Sequence, residues 1–220
     1  YISKGIGMYT LYGYPKTRSV RVAWALEELG LPFEYSLVDL KQGQHLSEGF
    51  KAISPASKIP ALSTPEGTLT ESAAIVTFLA ERHGMHEFIP EPGSFERAKY
   101  EEMMLFLTNE LEQPIWNLAK HTFALPKEQR LEQMRDVAVW EFKRVLPVFS
   151  SMLGDKEFVC GTMFTMADII AGHILAWAKG SKLDITLDGK TDNVAAYAQR
   201  VLGRDAYERA WRKEMDHLPE

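Results

Sequence analysis

A break in the pattern constrains this chain most. Residues 85–94, "MHEFIPEPGS", carry Pro90, Pro92 and Gly93 within four positions, a cluster that interrupts regular structure. Before it, strand and helix signals alternate. After it, no stretch reads as a strand. "MYTLYGY" (8–14) is a short apolar and aromatic strand candidate. "SVRVAWALEELG" (19–30) reads as a helix that Ser19 can cap and Gly30 stops. "LPFEYSLVDL" (31–40) alternates, with Phe33, Tyr35 and Leu37 on one face. Residues 41–57 are polar and irregular. "IPALSTPEGTLTE" (59–71) reads as two short strands about a Pro-Glu-Gly turn, and "SAAIVTFLAERHG" (72–84) as a helix ending on Gly84. The order is β-α-β, an irregular link, then β-β-α. It implies a parallel pair joined by a right-handed crossover, plus an antiparallel hairpin.

The rest is helical: 95–120, 127–153 with Pro147 marking a break or kink, 165–179, 192–202 and 204–216. The predicted architecture is a small α/β domain over 8–84, a linker over 85–95 and an all-α domain over 96–220. The chain lacks an initial Met, and Met8 reads as a natural start, with 1–7 an extension preceding it and no apolar leader in view.

Net charge is −5 over 220 residues, which argues against a nucleic-acid surface, since that needs a basic field. No apolar run approaches a membrane span. The single cysteine, Cys160, cannot form an internal disulfide, so the chain reads as cytoplasmic. His83 and His86 lie three apart with no third ligand, so no metal site is expected.

Pro60 stands where a strand begins. Proline has no N–H to give a ladder. A cis Ile59–Pro60 bond would turn the chain and leave the Ile59 N–H and C=O free for a peptide ligand. Lys58 beside it could meet a carboxylate. Glu71 and Ser72 open the next helix, where unpaired N–H groups and the helix dipole favour an anion. A Glu there can accept from an ammonium group, so the pair suits the amino-acid end of a peptide. The bland alternative is a Ser N-cap beside a solvated Glu. "FTMADI" (164–169) carries a capping box, Thr165 with Asp168 at N3, flanked by the staple pair Phe164 and Ile169. It starts a buried helix, and Asp168 is structural.

"LYGYPKTRSVRVAWALEELG", "SKIPAL" and "TESAAIVTFLAER", at these separations and ahead of an all-helical half, resemble a cytosolic glutathione transferase. The likeness is to the bacterial and plant-like group that uses a hydroxyl rather than a tyrosine near the first helix. It covers residues 8–216, and the Pro60-to-Ser72 spacing is its most specific part. It implies a thioredoxin-like N-terminal domain that binds glutathione as co-substrate. It also implies a small hydrophobic electrophile in a pocket shared with the helical domain, and a homodimer acting in detoxification.

Conjugation needs a thiolate, because the thiol is a poor nucleophile. The loop "GYPKTRS" offers Tyr14, Thr17, Arg18 and Ser19 as donors. Here the chain departs from the family: the usual serine or cysteine falls on Lys16 or, in other alignments, on Tyr14 or Thr17. Thr17 is the first candidate for thiolate donor and Tyr14 the second, while Ser19 reads equally as a helix cap. The resemblance assigns Glu71 and Ser72 to the γ-glutamyl end, Ile59 beside Pro60 to the cysteinyl backbone and Lys58 to the glycine carboxylate. Gln42, with Lys41 and His45, would give further glycyl contacts. Tyr100, Met104, Phe106 and Trp116, near Asn109 and His121, could line an acceptor pocket, although residues at helical spacing usually form core. Two other functions fit the same signature: a non-catalytic binding or interaction module, and a glutathione-dependent peroxidase.

Overall fold

The computed structural model describes residues 9–83 and 87–219. The expected start at Met8, the stop at Gly84, and Met85 and His86 of the linker lie outside the described residues.

The first strand, β1 (Tyr9–Gly13), leads into α1 (Ser19–Glu28) and β2 (Phe33–Leu37). A link with a short helix, α2 (Glu48–Ile53), reaches β3 (Ala61–Thr64), β4 (Gly67–Thr70) and α3 (Ser72–Arg82). The sheet order is β2-β1-β3-β4. β1 and β2 run parallel, and β1–β3 and β3–β4 antiparallel, which is the thioredoxin-like arrangement expected. Leu11, Leu62, Val22, Trp24, Leu26, Ile75 and Leu79 are buried. Each such aliphatic or aromatic side chain contributes roughly 1.5–3 kcal/mol of burial.

Strand register sets where the loops leave the sheet. Gly13 pairs with Leu37, Tyr12 with Ala61, and Ala61 with Thr70. The exits of β1, β2 and β4 and the entry of β3 therefore lie at one end of the sheet. The 14–18 loop, the 38–47 link, Ile59–Pro60 and Glu71–Ser72 all leave from that end.

The helical unit spans residues 87–202. It contains α4 (Phe95–Phe106), α5 (Glu112–Ala119), α6 (Glu132–Leu153), α7 (Met166–Gly180) and α8 (Asp192–Leu202). Leu107–Leu111 and Lys120–Ala124 widen to π-helical turns on either side of α5, so the expected single helix over 95–120 is divided. α6 runs through Pro147 without ending. α7 is buried nearly all round, as befits a central helix. The capping box is present at its start. Asp168 accepts from Thr165 N at 2.7 Å, Thr165 Oγ1 at 3.1 Å, Val159 N at 2.9 Å and the Tyr197 hydroxyl at 2.7 Å.

The last helix, α9 (Asp205–Met215), groups with the first unit. The helical domain expected to reach residue 220 thus ends at Leu202. The division has a physical cause. Tyr207 packs on Trp24 with ring centroids 4.8 Å apart, and Arg204 forks onto Glu28 at 2.6 and 2.8 Å. Glu214 enters the core.

Candidate functional site

The site grows from the end of β1. β1 ends at Gly13, and the chain turns through Pro15 and Lys16, whose φ is 64°, into α1. The Thr17 hydroxyl donates to Tyr14 O at 2.7 Å and lies 3.0 Å from Ser19 Oγ. Thr17 is half-buried and Tyr14 is half-buried, so both can face a ligand. Arg18 is the N-cap position of α1. Ser19 is fully buried, and its hydroxyl lies 2.5 Å from Glu214 Oε1 and 3.0 Å from Tyr14 O. It touches no surface, so a direct catalytic role for Ser19 gives way to one inside the fold.

Gly13 makes this approach possible. A Cβ there would come within 2.6 Å of Ser19 Cβ and 2.8 Å of the Tyr35 oxygen.

The Ile59–Pro60 bond is cis. Among the described residues, the main chain of Ile59 has no hydrogen-bond partner, and β3 begins only at Ala61. Ser54, buried, holds the main chain of Lys58: its hydroxyl donates to Lys58 O at 2.8 Å and accepts from Lys58 N at 3.3 Å. The Lys58 side chain stays exposed.

Glu71 precedes α3 with φ 67° and ψ 106°, a conformation costly for a residue with a Cβ and common at ligand sites. Its side chain is exposed and does not cap the helix. Ser72 is the first helical residue. It is buried, and its Oγ accepts from Arg21 Nη1 at 3.1 Å. The Ser72 proton is then available to donate outward.

In the link, Asp39 Oδ1 accepts from Lys41 N at 2.9 Å and Gln42 N at 3.1 Å, while Asp39 N donates to Gln44 Oε1 at 2.8 Å. These bonds shape the loop that carries Gln42, which is exposed. His45 Nδ1 is buried without a partner.

An anion-accepting end therefore has two helix N-termini, α1 and α3, bridged by Arg21. Donors and acceptors left open there, among the described residues, are the Ile59 main chain, the Ser72 hydroxyl, the uncapped start of α3 and the His45 ring. The Arg21 bridge and the Glu214 anchor were missed in the sequence. Arg21 had a signal: a charge within the apolar run "VRVAWAL" must be paired once buried. Glu214 had none, since "RKEMDH" reads as a solvated face.

In the helical unit, Tyr100 and Met104 are buried core. Trp116 is half-buried beside Trp177, with centroids 6.4 Å apart, and Phe106 is half-buried. Asn109 is exposed, and His121 Nδ1 accepts from Leu131 N at 3.2 Å. Burial pushes the Cys160 thiol up to about 11, far from a reactive thiolate. Among the described residues no cluster could hold a metal ion, and no described helix is long and apolar enough to cross a membrane.

Two family models match: glutathione S-transferase N-terminal domain over residues 7–81 and glutathione S-transferase C-terminal domain over 116–205. Glutathione S-transferase 3 of Zea mays is 34% identical, covering 75% of this chain and 75% of its own length. Human glutathione S-transferase theta-1 is 28% identical over 82% of this chain and 77% of its own. A crystal structure of a glutathione transferase from Methylococcus capsulatus superposes with a TM-score of 0.82 at 26% identity, covering 94% of this chain and 99% of that one. BphK, a bacterial transferase solved as a ternary complex, gives 0.81 at 27%, with the same coverage.

Proposed function

The chain belongs to the glutathione S-transferase family and is a glutathione transferase, and on that premise we propose how its residues bind and activate glutathione. The γ-glutamyl end lies at the start of α3: its carboxylate accepts from the Ser72 hydroxyl and the uncapped N–H groups, and its ammonium donates to Glu71. The cysteinyl main chain pairs with Ile59, and the glycine carboxylate reaches Lys58, Gln42 and His45.

This places the thiol beside the start of α1. A free thiol near pKa 8.5 is only a few per cent ionised at neutral pH. Each unit of lowering needs about 1.4 kcal/mol. The α1 dipole contributes part. The Thr17 hydroxyl, turning from Tyr14 O to the sulfur, contributes a charge-assisted hydrogen bond. Tyr14 is the alternative donor. The thiolate then attacks a small hydrophobic electrophile, and the product is a thioether. The protein acts as a homodimer in the cytoplasm, in detoxification, as its family resemblance suggests.

The observation that carries this reading is the convergence of Thr17, Ile59–Pro60 and Glu71–Ser72 at one end of the sheet by strand register. Titration calorimetry with glutathione tests it, together with the ultraviolet thiolate absorbance followed against pH. Binding with a thiol pKa below that of free glutathione supports it. Binding without the shift refutes the activation step, and no binding refutes the site.

A further inference from the structure

Glu214 is a carboxylate from the last helix sealed beneath the active-site loop. It is fully buried, and its Oε2 has no partner. Its Oε1 faces Ser19 Oγ at 2.5 Å and the Tyr35 hydroxyl at 3.3 Å. Ser19 Oγ in turn lies 3.0 Å from Thr17 Oγ1. A continuous chain of three side chains joins Glu214 to the hydroxyl that is to face the sulfur.

Protons decide what such a chain does. Ser19 owns one, and it has four acceptors in reach: Glu214 Oε1, Tyr14 O at 3.0 Å, Thr17 Oγ1 and the Tyr35 hydroxyl oxygen. An ionised Glu214 takes that proton, because a charged acceptor wins at short range. Thr17 then receives only the Ser19 main-chain N–H, at 3.3 Å, and its hydroxyl can itself donate into Ser19 Oγ. A neutral Glu214 reverses the order: its O–H donates to Ser19 Oγ, and Ser19 donates to Thr17. With its oxygen accepting, Thr17 is a stronger donor outward.

We infer that Glu214 is a positioning residue that sets the direction of the Thr17 hydroxyl through Ser19, donating toward the glutathione sulfur when Glu214 is neutral. The inference rests on Thr17 as the thiolate donor. Burial raises Glu214 to about 8, against the pull of Ser19, Tyr35 and the Lys16 N–H, so the neutral form dominates at neutral pH. Among the described residues, no neighbouring cation is a cause of this shift. Tyr35 on β2 and Tyr207 on α9 are both raised by burial and by Glu214 itself. On α9, Lys213 sits over the Phe33 ring and donates to Phe33 O at 3.2 Å. The His217 ring stacks on Tyr35 with centroids 4.8 Å apart and its Nδ1 lies 2.8 Å from Lys213 O.

The test compares the full chain with Glu214→Gln, assayed with glutathione and chlorodinitrobenzene from pH 6 to 10 after subtraction of the uncatalysed rate. In the native chain kcat/KM is expected to fall at least about threefold as pH rises past 8. In Glu214→Gln, which cannot titrate, that fall disappears, while KM for glutathione stays within about twofold because Glu214 touches no part of the peptide. A native profile without the descending limb overturns the inference with no variant needed. So does a limb that persists in Glu214→Gln, or a variant with a lower melting temperature and an unchanged profile. If Glu214→Gln fails to fold, Ser19→Ala breaks the same chain and is read in the same way. Thr17→Ala separates the two levels. Loss of the thiolate in Thr17→Ala with an unchanged Glu214→Gln profile removes only the relay. A retained thiolate in Thr17→Ala removes the Thr17 reading and the relay with it.

Discussion

The Thr17 hydroxyl oxygen lies 2.7 Å from the Tyr14 carbonyl oxygen to which it donates, and a thiolate is a better acceptor than a carbonyl. The gain from switching partners is the contribution this residue makes. A hydrogen bond to a charged group is worth roughly 1.5–3 kcal/mol, so Thr17→Ala should raise the bound thiol pKa by about one to two units and cut kcat/KM by about ten- to a hundredfold. Thr17→Ser should restore most of it. Unchanged thiolate absorbance in Thr17→Ala would exclude the residue. At the other end of the ligand, Ser72→Ala removes the donor we propose for the γ-glutamyl carboxylate and strips Arg21 Nη1 of an acceptor. Calorimetry should show glutathione affinity about tenfold weaker, and unaltered affinity would move the γ-glutamyl end elsewhere.

At the scale of elements, two buried carboxylates tie helices to their neighbours. Asp168 fastens the start of α7 to Val159 and to Tyr197 on α8. Asp168→Ala would leave those donors buried without an acceptor, at a cost of about 3 kcal/mol, measurable as a lower midpoint in urea. Glu214 fastens α9 to α1 and β2. Its pKa is about 8 in the folded chain against an ordinary 4.5. Below 4.5 both states hold the proton. Between the two values the unfolded chain releases it and the folded chain keeps it. The folded state binds more protons there, so this group's contribution falls as pH rises from about 4.5 to 8 and is gone above that. Denaturation midpoints across this range should fall less steeply in Glu214→Gln than in the native chain. A matching slope would show that Glu214 titrates normally. Gly13→Ala probes the same junction from below, where a methyl would meet Ser19 and Tyr35.

At the scale of the molecule, the chain returns to its beginning. α9 packs on α1, where Tyr207 covers Trp24 and, just before it, Arg204 grips Glu28. A chain ending at Leu202 keeps every residue of the peptide site yet exposes Trp24 and removes the support of Ser19. Its melting temperature should fall by about 10 °C or more, with thiolate formation lost before glutathione binding. A truncated chain with native stability and a native thiolate would make α9 an ornament.

Local pattern carried a great deal. Strand alternation, helix periodicity and the proline-rich break were enough to outline the α/β-then-α order, because each depends on residues near in sequence. The cis bond at Pro60, the helix start at Ser72 and the capping box at Thr165–Asp168 were legible for the same reason: a proline's missing N–H and a cap's hydrogen bonds act within a few residues. The long helix over 95–120 was not read as divided, although Pro114 in α5, just after the first π-turn, removes an N–H from the helix ladder. Ser19 was ambiguous for a deeper reason. Its role depends on a partner 195 positions away.

The sequence by itself determined which segments could be strand or helix, where the two halves part, and which residues stand at the turns where we propose glutathione binds. Only the tertiary structure decided that α9 leaves the helical unit, that Arg21 and Ser72 meet, and that Glu214 lies under Thr17. Periodicity and capping are near-neighbour physics. Burial of a charge is not: "RKEMDH" looks solvated until a helix packs it against β2, and only then does the carboxylate lose water and find Ser19 instead.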